Sequence, residues 1–328
     1  MTRDDARLSL VASYCDAGQC VDAISAIEEL VRDEPANAEL YHQLGICYGG
    51  ACKPHNLVSI PVSLSYLQRA VALIDIGGPP LLRAKYLDSL GNAYLQSRCP
   101  AAAIPHLSEA AELYAALGLA EDWAREQYNL GNAFCDVPES DAPQKWQIAV
   151  EHYRRALTVR TKERDPVRHA ATVQNLGTAY RELPDGNRES NIRTAIACYS
   201  RAMRIYHRHN FPAQHAALHN NLGNAYLCLP GSTDATRRNI RRALLHFARA
   251  LEIRTRTRRP CDYAATQFNR GQAYVKQAEL DPGTGFDEAA CCLREAEEGF
   301  LVCRDSEHAA AAHAELAKLE NFMRQDRI

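Results

Sequence analysis

No stretch of the sequence approaches the roughly 18 consecutive apolar residues that a membrane-spanning helix needs. The opening residues, MTRDDARLSLVASYCDAG, hold no apolar block behind a basic start, so no secretory leader is expected. A net charge of -2 excludes a uniformly basic nucleic-acid binder, although it leaves local patches open. The 12 cysteines never form a Cys-x-x-Cys pair, and in a chain without a leader they are expected as reduced thiols of a cytoplasmic protein. Alternation of β-branched residues is lacking, which argues against strands. GxxxxGK[ST], GxGxxG and GxSxG are also missing from any strand–turn–helix context, so neither phosphate-loop nor nucleophile-elbow chemistry is indicated.

What the sequence does contain is a repeat. LGICY from Leu44 recurs as LGNAY from Leu90, LGNAF from Leu130, LGTAY from Leu176, LGNAY from Leu222 and RGQAY from Arg270, after a weaker LVASY from Leu10. The first residues of successive copies are 34, 46, 40, 46, 46 and 48 apart. Each copy is followed by a second block: AISAIEEL from Ala23, SLSYLQRAVAL from Ser63, AIPHLSEAAEL from Ala103, AVEHYRRALTV from Ala149, AIACYSRAMRI from Ala195, ALLHFARALEI from Ala243 and AACCLREAEEG from Ala289. Small or apolar residues three and four apart make both blocks amphipathic helices, here termed helix A and helix B. A mid-helix glycine costs about 1 kcal/mol against alanine, so its recurrence calls for close packing. The expectation is that Gly91 faces Ala103, Gly131 faces Ala149, Gly177 faces Ala195 and Gly223 faces Ala243. Tyr94, Tyr180 and Tyr226 would then fill the wider space beyond. A single hairpin cannot bury its own apolar face, so neighbours must stack.

This pattern resembles the tetratricopeptide repeat (TPR) family, in the long-period form of kinesin light chains and of the arrays that precede bacterial CHAT domains. The first unit keeps the family's spacing from Leu10 through Ala23 to Pro35, while LPDGNRESNIRTAI from Leu183 and LPGSTDATRRNIRRAL from Leu229 lengthen later ones. In those insertions Asp, Ser or Asn can cap the next helix. The resemblance implies an all-α, right-handed α-solenoid over residues 1–328 as a single domain. About seven helix-turn-helix repeats would start near 4, 38, 84, 124, 170, 216 and 264, with a capping helix over about 306–325. It also implies a non-catalytic interaction scaffold whose helices A line a concave groove for a peptide or partner protein. The alternative is a sensor that tightens around a small ligand or signalling peptide and controls a protease or transcription regulator in trans.

Two ladders of helix A positions would face that groove. Two residues after the motif leucine stand Asn92, Asn132, Thr178, Asn224 and Gln272; two before it stand Asp88, Tyr128, Gln174, Asn220 and Phe268. Amide side chains can both donate to and accept from a peptide backbone, and Tyr128 and Phe268 add preference. In the family's carboxylate-clamp members basic residues grip a peptide C-terminus; Arg125, Arg181 and Lys276 are the nearest candidates here. Asn129, Asn175, Asn221 and Asn269, one before the motif leucine, are expected to bond neighbouring backbone.

Charge is polarised along the chain. Between residues 145 and 260 Lys and Arg outnumber Asp and Glu by well over two to one, and the remainder is acidic. Arg154, Arg155, Arg201, Arg204, Arg241, Arg242 and Arg249 sit on helices B and suit an acidic protein segment, self-association with the acidic ends, or solvent; nucleic acid fits poorly without interleaved aromatics. No cofactor or metal is implied. Cys15/Cys20 and Cys47/Cys52 lack zinc spacing, and the His215/His219 pair lacks the Glu of HExxH and a third ligand. Glu28/Glu29 and Glu297/Glu298 read as solvated faces. An enzyme would have to be sought at His42, Asp88 or the His215/His219 pair.

Overall fold

The computed structural model describes residues 20–51, 59–74, 78–140, 142, 144–184 and 186–325. Among these residues lie fourteen α-helices and no strand. The motif copy at Leu10, Cys15, Cys52 and the first helix A fall outside them.

The chain forms two compact units, Met1–Arg160 and Thr161–Ile328. In the first, α1 (Cys20–Asp33) precedes three antiparallel hairpins: α2 (Ala38–Ile46) with α3 (Ile60–Leu73), α4 (Pro80–Gln96) with α5 (Pro100–Ala116), and α6 (Ala120–Asp136) with α7 (Lys145–Leu157). A π-type turn over Cys47–Ala51 extends α2. In the second unit α8 (Pro166–Glu182) pairs with α9 (Arg188–Met203), α10 (Pro212–Cys228) with α11 (Thr233–Leu251), and α12 (Pro260–Leu280) with α13 (Phe286–Val302). A last helix, α14 (Ser306–Gln325), packs on α13.

Helices A begin four residues ahead of the repeat starts read at 84, 170, 216 and 264, because Pro80, Pro166, Pro212 and Pro260 occupy the first helical turn. Proline loses nothing there, since the first amides of a helix have no internal partner. Asn187 and Ser232 cap α9 and α11 after the two long insertions, accepting from the amides of Ser190 and Ala235. Three chain reversals share one geometry: Arg98, Gly118 and Arg304 hold φ of 57°, 70° and 58°. At each, the next amide bonds back over the helix end, as Cys99 N to Tyr94 O, Leu119 N to Tyr114 O and Asp305 N to Phe300 O, all at 2.9 Å.

The glycines of helix A are indeed at the closest approach of each hairpin, but their partners differ from those expected. A Cβ built on Gly91 would lie 2.5 Å from Leu107 Cδ2, and one on Gly131 2.5 Å from Tyr153 Cε1. Gly177 meets Tyr199 and Cys198, and Gly223 meets Phe247. The small Ala103, Ala149, Ala195 and Ala243 are buried elsewhere, and the large residue one turn later covers the glycine. The register of the hairpin is one turn further on than expected: at Gly91 even the Leu107 backbone nitrogen lies 3.5 Å from the added Cβ. Beside three of these seats, all but that of Gly177, an aromatic residue of helix A stacks on a histidine of helix B: Tyr94 on His106 at 5.6 Å, Phe134 on His152 at 5.5 Å and Tyr226 on His246 at 5.6 Å. Of the three tyrosines expected to fill space, Tyr180 is buried and Tyr94 and Tyr226 make these stacks.

The core runs along the hairpins. Ile24, Ile27 and Leu30 of α1 pack on Leu40, Leu44 and Cys47, so Cys47 behaves as a small apolar residue. In the second unit Ala264, Ala296 and Phe300 meet Ala309 and Ala312 of α14, which covers the last hairpin. One expectation is corrected: not every thiol is reduced, because Cys261 at the start of α12 is disulfide-bonded to Cys303 just after α13. The antiparallel hairpin brings both ends to one place, which a separation of 42 residues in sequence conceals.

Candidate functional site

Helices A place the groove residues, and their hydrogen bonds divide them into two groups. In the first unit, Asn92 donates from Nδ2 to Asp88 Oδ1 at 2.5 Å and accepts from Asn129 Nδ2 at 3.3 Å. Asn132 accepts from the Tyr153 hydroxyl at 2.8 Å. The Tyr128 ring lies beneath the Arg160 guanidinium, 4.6 Å from its centroid. In the second unit Thr178 shares a 3.1 Å hydrogen bond with the Tyr199 hydroxyl. Asn220 is buried and accepts from Asn269 Nδ2 at 3.1 Å. Phe268 packs edge-on against Phe300 and joins the cluster that α14 covers. Gln174 is half-buried, with Oε1 unpartnered. Thus Asn129 and Asn269 bond the side-chain amide of the preceding helix A rather than backbone.

Asp88 belongs to a buried acidic knot. Arg125 Nη2 donates to Asp88 at 2.7 Å, its Nη1 to Asp122 at 2.5 Å and its Nε to Glu126 at 3.1 Å. Glu126 is fully buried. Burial and the Asp88 charge push its carboxyl up to about 8, so it holds a proton at neutral pH and shares it with Asp88. This network joins α4 to α6. His42 likewise is tied in, with Nε2 2.9 Å from Ser89 Oγ and its ring 4.4 Å from that of Tyr86. Desolvation lowers its pKa to about 4.

Asn224 and Gln272 stand apart, because neither makes a hydrogen bond to any described residue. Both line a cavity of about 450 Å³ in the second unit. Arg181 and Glu182 of α8, Leu227 and Cys228 of α10, and Asn269, Val275, Lys276 and Glu279 of α12 complete its walls, with Leu293 of α13 and Glu315 of α14. The register is regular: relative to the first motif residue (Leu176, Leu222 or Arg270), the helix A wall residues stand at one before, two after, five or six after and, for Glu279, nine after. Those offsets are three or four residues apart and so form one stripe per helix. Arg181 and Lys276, the clamp candidates of the second unit, therefore share one cavity with two amides of the expected ladder. Arg125 is committed to the acidic knot instead. Lys276 Nζ donates to Leu227 O at 2.9 Å, and Arg181 Nη2 sits 2.6 Å from Glu182 Oε1. With Glu279 and Glu315 also present, the lining is of mixed sign. Glu182 could have been found by extending the ladder one helical turn toward the C-terminus and Glu279 by extending it two, whereas Glu315 comes from α14.

Solved structures to which the chain is similar share this arrangement of paired helices. Over 95% of this chain and 98% of the other, the apo form of RapI superposes with a TM-score of 0.58 at 13% identity. The C-terminal part of a TPR repeat-containing protein from Cytophaga hutchinsonii gives 0.54 at 9% identity, over 93% of this chain and 98% of that one. The fold is the tetratricopeptide repeat. No protein-family model and no curated sequence matches the chain. In TPR terms α8, α10 and α12 are the helices A of three successive repeats, and the cavity lies on their inner stripe.

The basic residues lie where helix B places them. Arg154, Arg155, Arg201, Arg204, Arg241, Arg242 and Arg249 are exposed on α7, on α9 or the residue after it, and on α11. Arg155 pairs with Glu151 one turn away, while Arg242 stands over the Tyr226 ring at 5.5 Å. Among the described residues no group of three or more His, Cys, Asp or Glu is arranged to hold a metal, and no helix is long and apolar enough to cross a membrane.

Proposed function

We propose that this TPR protein is an interaction scaffold that takes an extended peptide segment of a partner across α8, α10 and α12. One observation carries the reading: the two ladder amides without an internal partner, Asn224 and Gln272, converge on the same cavity as Arg181 and Lys276. An amide offers a donor and an acceptor to a peptide unit, and the two cations and three carboxylates beside it suit a polar segment. The exposed arginines of α9 and α11 would extend the contact to acidic residues of the same partner. Cytoplasmic residence belongs to this proposal and requires the Cys261–Cys303 bond to be cycled rather than permanent.

A peptide selected from a random display library on the full chain tests the reading. Asn224→Ala with Gln272→Ala should weaken it about tenfold, the worth of one or two hydrogen bonds, with the circular dichroism spectrum unchanged. Undiminished affinity would reject the groove. A cavity of about 450 Å³ also falls within the range of small-molecule sites, which supports the sensor as the second reading. A gain of several degrees in melting temperature with a small ligand, and none with selected peptides, would favour it.

A further inference from the structure

A second pocket, of about 340 Å³, opens in the second unit away from the groove. Arg208, His215, His219, Arg249 and Glu252 line it, with Met203 and Ile253 as its apolar part. It lies where the end of α9 and the loop after it meet α10 and the end of α11, and of its lining the peptide reading uses Arg249 alone.

The hydrogen bonds around the pocket set what each group can offer. His215 Nδ1 is 2.9 Å from the Tyr206 carbonyl oxygen, which can only accept. The proton of a neutral His215 therefore sits on Nδ1, and Nε2 presents a bare lone pair. His219 Nδ1 lies 2.8 Å from His246 Nδ1, so one of these two nitrogens donates and the other accepts. Arg208 Nη1 is held by Glu252 Oε2 at 2.7 Å. The Arg249 guanidinium is exposed and engages no hydrogen bond or ion pair among the described residues. Donors and acceptors thus share one pocket: the guanidiniums of Arg208 and Arg249, an imidazole lone pair and the Glu252 carboxylate.

We propose that this pocket is a site for a phosphoryl group that still carries a proton, the monoanionic form of a phosphomonoester. Its charge suits Arg249 and Arg208, and its P–OH can donate to His215 Nε2 or to Glu252. A fully ionised oxyanion such as sulfate has only acceptors and would oppose lone pairs to both. A phosphodiester of nucleic acid has no such proton to give. Burial, the crowding of the neighbouring imidazoles, and Arg249 and Arg208 lower His219 to about 3, and burial with Arg249 lowers His246 to about 4. These two rings stay neutral, and the ligand must supply the proton. The groups facing the rings are each other, Arg249, Arg208 and Glu252, with Tyr226 stacked on His246 and Arg242 above Tyr226.

The histidine ring signals of the full chain, followed by NMR, test the site with inorganic phosphate, phenyl phosphate, a phosphoserine tripeptide and sulfate. Phosphate should shift His215 and His219 saturably and bind at least about tenfold more tightly than sulfate. Affinity for phenyl phosphate should fall from about pH 6 to about pH 8 as the second ionisation of the monoester, near pKa 6, removes the proton. Arg249→Ala, at an exposed position, should weaken phosphate about tenfold, whereas Arg154→Ala in the other unit should not. Saturation by phenyl phosphate alone would assign a small-molecule ligand, and saturation by the tripeptide a modified partner. Equal binding of sulfate and phosphate, an Arg249→Ala variant that binds as the wild type does, or no saturable shift with any phosphate would overturn the proposal.

Discussion

Replacing Gly131 by alanine sets two opposed effects against each other. Alanine is the better helix former by about 1 kcal/mol, so an unconstrained position would gain that much. At Gly131 the added methyl would lie 2.5, 2.7 and 2.9 Å from Cε1, Cδ1 and Cζ of Tyr153. The ring cannot yield easily, since Tyr153 is 1% exposed and its hydroxyl bonds Asn132. Overpacking of this kind costs about 1–3 kcal/mol, and pulling the hydroxyl from Asn132 adds about 1 kcal/mol. The net is a loss of about 1–3 kcal/mol. Gly271 supplies the comparison: its added methyl would crowd Leu293 Cγ and Cδ2, at 2.9 and 3.0 Å, and touch Cys292 Cβ at an ordinary 3.5 Å, and a leucine tip can turn aside. Gly271→Ala should therefore be close to neutral. Urea unfolding followed by circular dichroism reads both, with midpoints compared because repeat arrays need not unfold in two states. Adding Tyr153→Ala to Gly131→Ala should reveal a coupling of at least about 1 kcal/mol. A Gly131→Ala protein as stable as the wild type would show that the seat is not filled by Tyr153.

Further expectations concern backbone, charge and covalent structure. Gly118→Ala should cost about 1 kcal/mol in thermal unfolding through its φ of 70° alone, since nothing lies within 4 Å of the added methyl. Glu126, raised to about 8 in the fold from an ordinary value of 4.5, binds its proton more tightly in the folded state. Stability should therefore fall as pH rises from about 4.5 to about 8, and Glu126→Gln should flatten that slope in denaturant titrations. His42, lowered from 6.5 to about 4, acts in the opposite sense: its contribution is present above about 6.5 and lost as pH falls through about 4, and His42→Phe should reduce the acid sensitivity. Cutting the 42-residue Cys261–Cys303 link by Cys303→Ser should lower stability by about 2–4 kcal/mol, read calorimetrically against the oxidised wild type, and the reduced wild type should match the variant.

The fold was legible because the LGxAY copies combine a 3.6-residue period with a mid-helix glycine that only tight helix packing explains. The glycine's partner was not legible from facing positions alone. Reading Ala103 opposite Gly91 takes the hairpin one turn too early, since its register depends on the length of the turn and places Leu107 over the seat. The stripe proposed as a groove was legible in part. Position along helix A located Asn224 and Gln272, but no pattern in the sequence tells that Asn92, Asn132 and Asn220 have hydrogen-bonding partners within the fold. Those partners come from Tyr153 on the paired helix and from Asn129 and Asn269 in the next repeat. The convergence of Arg181 and Lys276, and the Cys261–Cys303 bond, arise from folding of segments 95 and 42 residues apart, so local periodicity carries no trace of them.

The glycine seat has a consequence for how such a chain can change over generations. Its floor is bare main chain, indifferent to whether leucine, tyrosine or phenylalanine rests on it, as Leu107, Tyr153 and Phe247 do. A duplicated hairpin can therefore exchange its plug without redrawing its neighbours' outlines. Segments such as α4–α5 and α10–α11 become modules that recombination could trade, leaving the exposed stripes free to diversify toward new ligands.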